Sequence, residues 1–254
     1  MAEARDRMGR RIGALCGYIS WNWMYGAALW VNRRARGRDV GTRLLAVAEA
    51  AAYRRGVRNA YLETFAFQAP GFYRKIGNRV YGKLEGYPRG SRAFYLHKPL
   101  RRSTPAANPP GDFRARYRTG SPKSLKPTWR WVGKRLGPFI SRWTGKAQAK
   151  ELAVTARDEK GGLAAGLRGS TFLGGLQVEI LWVREDLRGK GLGTRVLHLA
   201  EKEAKRRGCR GAALRAYGFQ SPGFWRKQGY RVFGTLRGLP KGSNCRYFMK
   251  KWKV

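Results

Sequence analysis

The run Arg188-Gly189-Lys190-Gly191-Leu192-Gly193 carries the residue types that hold a phosphate. Glycines at alternate positions let the backbone approach an anion closely, and Arg188 with Lys190 adds positive charge. The run leaves a β-like stretch and opens a helical pattern, with Thr194 next in line. Backbone N–H groups there converge with the positive end of a helix dipole, a ready anion site. Such a loop taken alone is equally compatible with a plain tight turn.

A related run occurs earlier in the chain, and the two occurrences set the domain organisation. RARGRDVGTRLL at Arg34–Leu45 and DLRGKGLGTRVL at Asp186–Leu197 differ by one shift, 188 − 36 = 152. The shift holds without a gap from Ala4-Arg5-Asp6 against Ala156-Arg157-Asp158 to Lys98 against Lys250. On the way it relates Leu29-Trp30-Val31 to Leu181-Trp182-Val183, and FQAPGFYRK at Phe67 to FQSPGFWRK at Phe219. Two copies of one domain are expected, at 1–100 and 151–254, joined by a linker at 101–150.

Elements that position the loop follow from hydrophobic periodicity. In the second copy, Leu152–Ala156, Leu163–Leu167 and Leu176–Val183 read as strands, the first two separated by a turn at Asp158–Gly162. Leu197, Leu199, Ala200 and Ala204 then recur at helical spacing up to the stop signal Arg207-Gly208. A short strand at Ala212–Leu214, a Pro-initiated helix at Ser221–Lys227, and strands at Tyr230–Leu236 and Arg246–Met249 complete the copy. The first copy repeats this order with a shortened opening strand. The expected fold class is mixed α/β.

This order, with its RGxGxG loop, its FQxPGFW helix and the Gly-Tyr that follows, closely resembles the GNAT family of N-acetyltransferases. Arg188, Gly191 and Gly193 match that family's acetyl-CoA pattern, and Phe224-Trp225-Arg226-Lys227 falls where the family has FYxKxG. The resemblance covers about residues 151–252 and again about 4–100. It implies tandem acyl-CoA N-acyltransferase domains forming a pseudo-dimer, with acetyl-CoA wedged between two splayed strands and its acetyl group offered to an amine. It further implies that Ile180, Leu181, Trp182 and Val183 meet the pantetheine arm, while Arg188, Gly189, Lys190, Gly191, Leu192, Gly193 and Thr194 hold the pyrophosphate. No metal is implied. The helices that shape the amine pocket in the family have no clear counterpart ahead of either copy; the linker's Trp-rich half is a candidate to supply them for the second copy, and the acceptor amine is not legible.

The copies depart from the pattern in opposite ways. Asp39 stands where the second copy has Gly191. A carboxylate there is expected to crowd the loop and to repel a pyrophosphate by a few kcal/mol in low dielectric, so the first copy is expected to bind acetyl-CoA poorly. That copy keeps Tyr73, at the position where many family members have a Tyr that protonates the departing thiolate. The second copy has Trp225 there, and an indole N–H is not a usable acid. Both rings also suit an aromatic core. Glu179 is a candidate base for the amine, or a solvent-facing strand residue, its counterpart being Ala27.

The linker holds six of the 11 prolines and 13 Lys or Arg against the single Asp112. Its first half reads as extended and solvated. Its second half, from Ser124, carries Trp129, Trp131, Leu136, Phe139, Ile140 and Trp143 at a spacing that suits an amphipathic helix packed on the second copy. Basic residues interleaved with aromatics also describe a nucleic-acid-binding segment.

Lys and Arg number 54 against 15 Asp and Glu, a net charge of +39 that exceeds what one acetyl-CoA site demands. A polyanion such as RNA is its natural counterpart. No apolar run approaches the roughly 18 residues of a membrane-spanning helix, and no membrane partner is expected. Scattered Cys16, Cys209 and Cys245 argue against a disulfide framework and fit the cytoplasm or another reducing compartment. The acidic residues within MAEARDRMGRR disfavour a cleaved targeting segment. Two functions are therefore weighed: acetyl transfer to an amine by the C-terminal copy, and a catalytically degenerate pair serving as an RNA-binding or ribosome-associated subunit.

Overall fold

Alternation of small apolar and polar residues gives the N-terminal stretch two antiparallel strands, β1 (Ala2–Arg5) and β2 (Arg11–Ser20), in the computed structural model of the chain. The structure describes residues 1–102, 115–120, 126–145 and 149–253. It divides into two compact units, Met1–Tyr81 with Phe94–Trp143 and Gly82–Ala93 with Thr144–Val254.

In the first unit the chain continues through β3 (Trp23–Val31), α1 (Val40–Arg54), β4 (Asn59–Phe65) and α2 (Pro70–Lys75). The strands β5 (Arg79–Glu85) and β6 (Arg92–Pro99) follow, with Gly82–Ala93 counted in the second unit, then β7 (Arg116–Thr119) and α3 (Lys126–Thr144). The sheet order is β7-β1-β2-β3-β4-β6, with β3 and β4 parallel and the rest of the first four pairs antiparallel. Parallel neighbours need a crossover, and α1 supplies it. Its buried Val40, Leu44 and Leu45 recur at helical spacing and pack on Ile12 and Leu15 of β2.

The second unit repeats the plan with β8 (Lys150–Arg157), β9 (Leu163–Phe172), β10 (Gly175–Val183), α4 (Leu192–Arg206), β11 (Gly211–Tyr217), α5 (Pro222–Lys227), β12 (Arg231–Arg237) and β13 (Asn244–Lys251). Its order is β8-β9-β10-β11-β13-β12, with β10 and β11 parallel. Val196, Leu197, Ala200 and Ala204 of α4 are buried against Leu152, Ala165 and Leu167. Both units thus have the mixed α/β architecture expected.

The helix expected in the linker forms, but it packs in the first unit and not on the second copy. Val132 is buried against Ala14 and Cys16, with Trp131 and Leu136 beside it. Thr128 Oγ1 donates to Glu3 Oε2 at 3.1 Å, and the Arg11 guanidinium lies over the Trp131 ring at 5.5 Å. The reason is chemical. The counterparts of Glu3 and Cys16 are Thr155 and Arg168, so the second copy offers neither the carboxylate nor the small buried side chain on which α3 docks. In the linker's first half, Arg116–Thr119 pairs with β1, so this part is a strand and not solvated coil. Residues 103–114 and 121–125, which share the expectation of an extended linker, lie outside the described residues.

Candidate active site

A pair of parallel strands that stop pairing part-way leaves a wedge. Pairing of β3 with β4 runs from Trp23 with Asn59 to Gly26 with Leu62 and stops there, although both strands continue. Pairing of β10 with β11 runs from Leu176 with Ala212 to Val178 with Leu214 and stops likewise. Beyond those points the facing backbone edges of Ala27–Val31 and Glu179–Val183 have no strand partner on that side among the described residues, which suits an extended chain that hydrogen-bonds to backbone.

Each wedge ends at the glycine-rich loop. Asp39 has φ +55° and Gly191 φ +81°, both left-handed, directly before α1 and α4. Asp is among the few residues with a side chain that visit this region readily, and its side chain here is exposed. The crowding expected from Asp39 is therefore absent: the loop keeps the same turn in both copies. Arg36 Nε donates to Val31 O at 3.1 Å, and Arg188 Nε donates to Val183 O at 3.3 Å, fastening each loop to its strand. The first helical bonds, from Arg43 N to Asp39 O and from Arg195 N to Gly191 O, leave the amides of residues 40–42 and 192–194 ahead of them for an anion.

In the first copy the wedge is part of a cavity of ≈ 590 Å³, a size usual for small-molecule sites. The loop residues Gly37, Asp39 and Gly41 line one end, and Tyr73 of α2 lines its wall. Burial pushes the Tyr73 hydroxyl up to about 12, so it stays protonated at neutral pH. Leu136 and Phe139 of α3 close another part of the cavity, and Glu63 on β4 lines it too. Glu63 was missed in the sequence because one carboxylate on a strand has no spacing signal. The available signal was the repeat, which puts Arg215 at the matching place.

In the second copy Ile180, Leu181, Trp182 and Val183 end β10 and Arg188–Thr194 lead into and open α4, while Tyr73 belongs to the other unit. Ile180 and Trp182 are exposed, and Arg188 and Lys190 are solvent-facing. Thr194 Oγ1 accepts a hydrogen bond from Gln228 Nε2 at 3.1 Å. Glu179 is an exposed strand residue whose Oε2 lies 3.1 Å from Arg168 Nη2, an ion pair across β9 and β10. Trp225 is buried, its ring edge-on to Phe224 and Tyr230, so it is a core residue.

Residues 2–77 and 123–230 match the family model described as acetyltransferase (GNAT) family. The chain belongs to this family. It is an acyltransferase that works with acetyl-CoA and an amine. A blasticidin-S acetyltransferase of Streptomyces morookaense is 41% identical over 93 residues, 36% of this chain and 68% of that protein. Acetyltransferase Atu2258 of Agrobacterium fabrum is 31% identical over 108 residues, 42% of this chain and 79% of that protein. A crystal structure of an acetyltransferase from Bacillus cereus aligns with TM-score 0.49 at 28% identity, over 53% of this chain and 95% of that one. The second match to the GNAT model begins ahead of α3, so by sequence this helix goes with the second copy while in the fold it packs in the first unit.

Proposed function

We propose that acetyl transfer runs in the first copy, onto the primary amine of a small molecule. One observation carries this reading: Tyr73, a protonated phenol, lines the same cavity as the glycine-rich loop. Bound acetyl-CoA supplies an activated acetyl thioester. The loop amides and the start of α1 fix the anionic end, and the open edge of β3 aligns the arm by backbone hydrogen bonds. Glu63 attracts the cationic amine and takes up the proton that the nitrogen must lose. Tyr73 donates its hydroxyl proton to the departing sulfur, so C–N forms, C–S breaks and the thiol leaves neutral. Asp39 is tolerated because it is exposed, where a unit charge at contact range costs about 1 kcal/mol.

Gly191 favours a second reading for the other copy, a cofactor loop without an acid beside it. Isothermal titration with acetyl-CoA, paired with thiol release in the presence of a primary amine, tests both. Cys16, Cys209 and Cys245 are buried and give little background in such an assay. Thiol release that requires Tyr73 supports the first copy; release that persists in Tyr73→Phe and stops in Arg188→Ala moves the chemistry to the second.

A polyanion, RNA or another phosphate polymer, stays the proposed partner of the cation excess. Glu3 alone engages Arg5, Arg11 and Arg118, so acids are taken up by structural pairs while most cations face solvent. Nucleic acid that co-purifies at low salt and is lost at high salt is the expected sign.

A further inference from the structure

Trp30 of β3 and Phe139 of α3 both line the cavity. Phe139 meets Trp30 edge-on at 6.3 Å and Phe67 in a tilted contact at 6.4 Å. Behind Phe139, outside the cavity lining, Phe67 is stacked on Phe65 at 5.3 Å and on Trp143 at 5.4 Å, nearly parallel in the second case at 11°. Rings that brace one another lose little freedom when a ligand arrives and present apolar faces and edges to it. Leu136 extends the same wall, and the carboxylates lining the cavity are Asp39, at the loop, and Glu63.

Charge separates acceptor classes further. A chain of net charge +39 repels a polycation at long range, whereas a single ammonium group meets weaker repulsion and one matching carboxylate. We infer that the acceptor is a small amine bearing one positive charge on a flat, aromatic body, seated against Phe139 and Leu136 with its nitrogen toward Glu63. This rests on the reading that the first copy is the catalytic one. It makes α3, carried by the segment between the copies, the element that selects the acceptor. The reaction balances as amine plus acetyl thioester giving the N-acetyl amide and free thiol, one proton passing to solvent when the amine arrives as an ammonium ion.

Full-length protein is assayed by thiol release with 2-phenylethylamine, hexylamine and spermidine. The aromatic amine should exceed hexylamine in kcat/KM by about tenfold, the usual return of a shaped apolar contact. Spermidine should be poorest at low salt and improve as salt rises. Phe139→Leu, which keeps apolar bulk without the ring, should remove most of the margin over hexylamine while acetyl-CoA affinity in titration stays unchanged. Equal rates for the two monoamines, spermidine as the best acceptor at low salt, no turnover of any of the three, or an unaltered ranking in Phe139→Leu would each overturn the proposal. The catalytic reading fails separately: wild-type rates in Tyr73→Phe would remove the acid while a ranking still governed by Phe139 kept the acceptor assignment.

Discussion

Asp39 and Gly191, one repeat length apart, hold the same left-handed backbone at the starts of α1 and α4, at φ +55° and +81°. The substitution that looks most damaging in the sequence leaves the loop geometry intact. What remains is its charge. On an Arg188→Ala background, which weakens the second loop, Asp39→Gly should tighten acetyl-CoA binding about fivefold, the equivalent of about 1 kcal/mol at an exposed site. Titration calorimetry reads this directly. A gain of several orders of magnitude would mean that Asp39 blocks the site outright.

Glu3 is fully buried and gathers Arg5 of its own strand, Arg11 of β2, Arg118 of β7 and Thr128 of α3. Burial pushes its carboxyl up, but the hydrogen bonds from Arg5, Arg11 and Thr128 outweigh this and hold it below the usual carboxylate range. Its stabilisation is therefore present above the ordinary carboxylate pKa and is lost as pH falls through the lowered value. Glu3→Gln should cost about 3 kcal/mol at neutral pH and flatten the acid limb of the stability curve. Urea unfolding at pH 7 and pH 3 is the check. A stability loss that is the same at both would rule out Glu3 as the charged hub. Because α3 hangs on this residue, the same variant should also blur the preference among acceptor amines.

Alkaline stability should fall as buried groups of the first unit, Cys16 first and then Tyr73 with Tyr117, resist losing their protons. Burial pushes the Cys16 thiol up from 9.0 to about 11 and the Tyr73 hydroxyl up from 10.0 to about 12. The folded chain keeps protons there that the unfolded chain releases, so stability falls as pH rises above 9.0, by about 1.4 kcal/mol per pH unit for each group once its unfolded pKa is passed. Cys16→Ala should make the fall above pH 9.0 shallower without moving its onset, because burial also pushes up the Cys209 thiol. Denaturant melts across this range test it, and an unchanged slope in the variant would assign the fall elsewhere.

Loop and helix were legible because their signals are local: glycines that must turn left-handed, then apolar residues at helical spacing ending at Arg207-Gly208. Strand lengths were under-read, β9 above all. It runs on to Phe172 because Arg168 and Ser170 sit on a face left to solvent in the second copy, where polarity does not end a strand. The docking of α3 was not legible, since it depends on a hydrogen bond between Thr128 and a carboxylate 125 residues away. Glu63 was hidden for a related reason. Its meaning comes from the cavity it lines and from Arg215 at the matching position, not from any neighbour in sequence. Trp225 read as a lost acid or a core ring, and packing against Tyr230 decided for the core.

The most direct test of the account is kcat for amine acetylation in Tyr73→Phe beside Arg188→Ala, each compared with the wild-type chain at saturating acetyl-CoA. Removal of a general acid should lower kcat about 100-fold in Tyr73→Phe, with acetyl-CoA affinity preserved, and leave Arg188→Ala close to wild type. A wild-type kcat in Tyr73→Phe with loss in Arg188→Ala would contradict the account and transfer the reaction to the second copy.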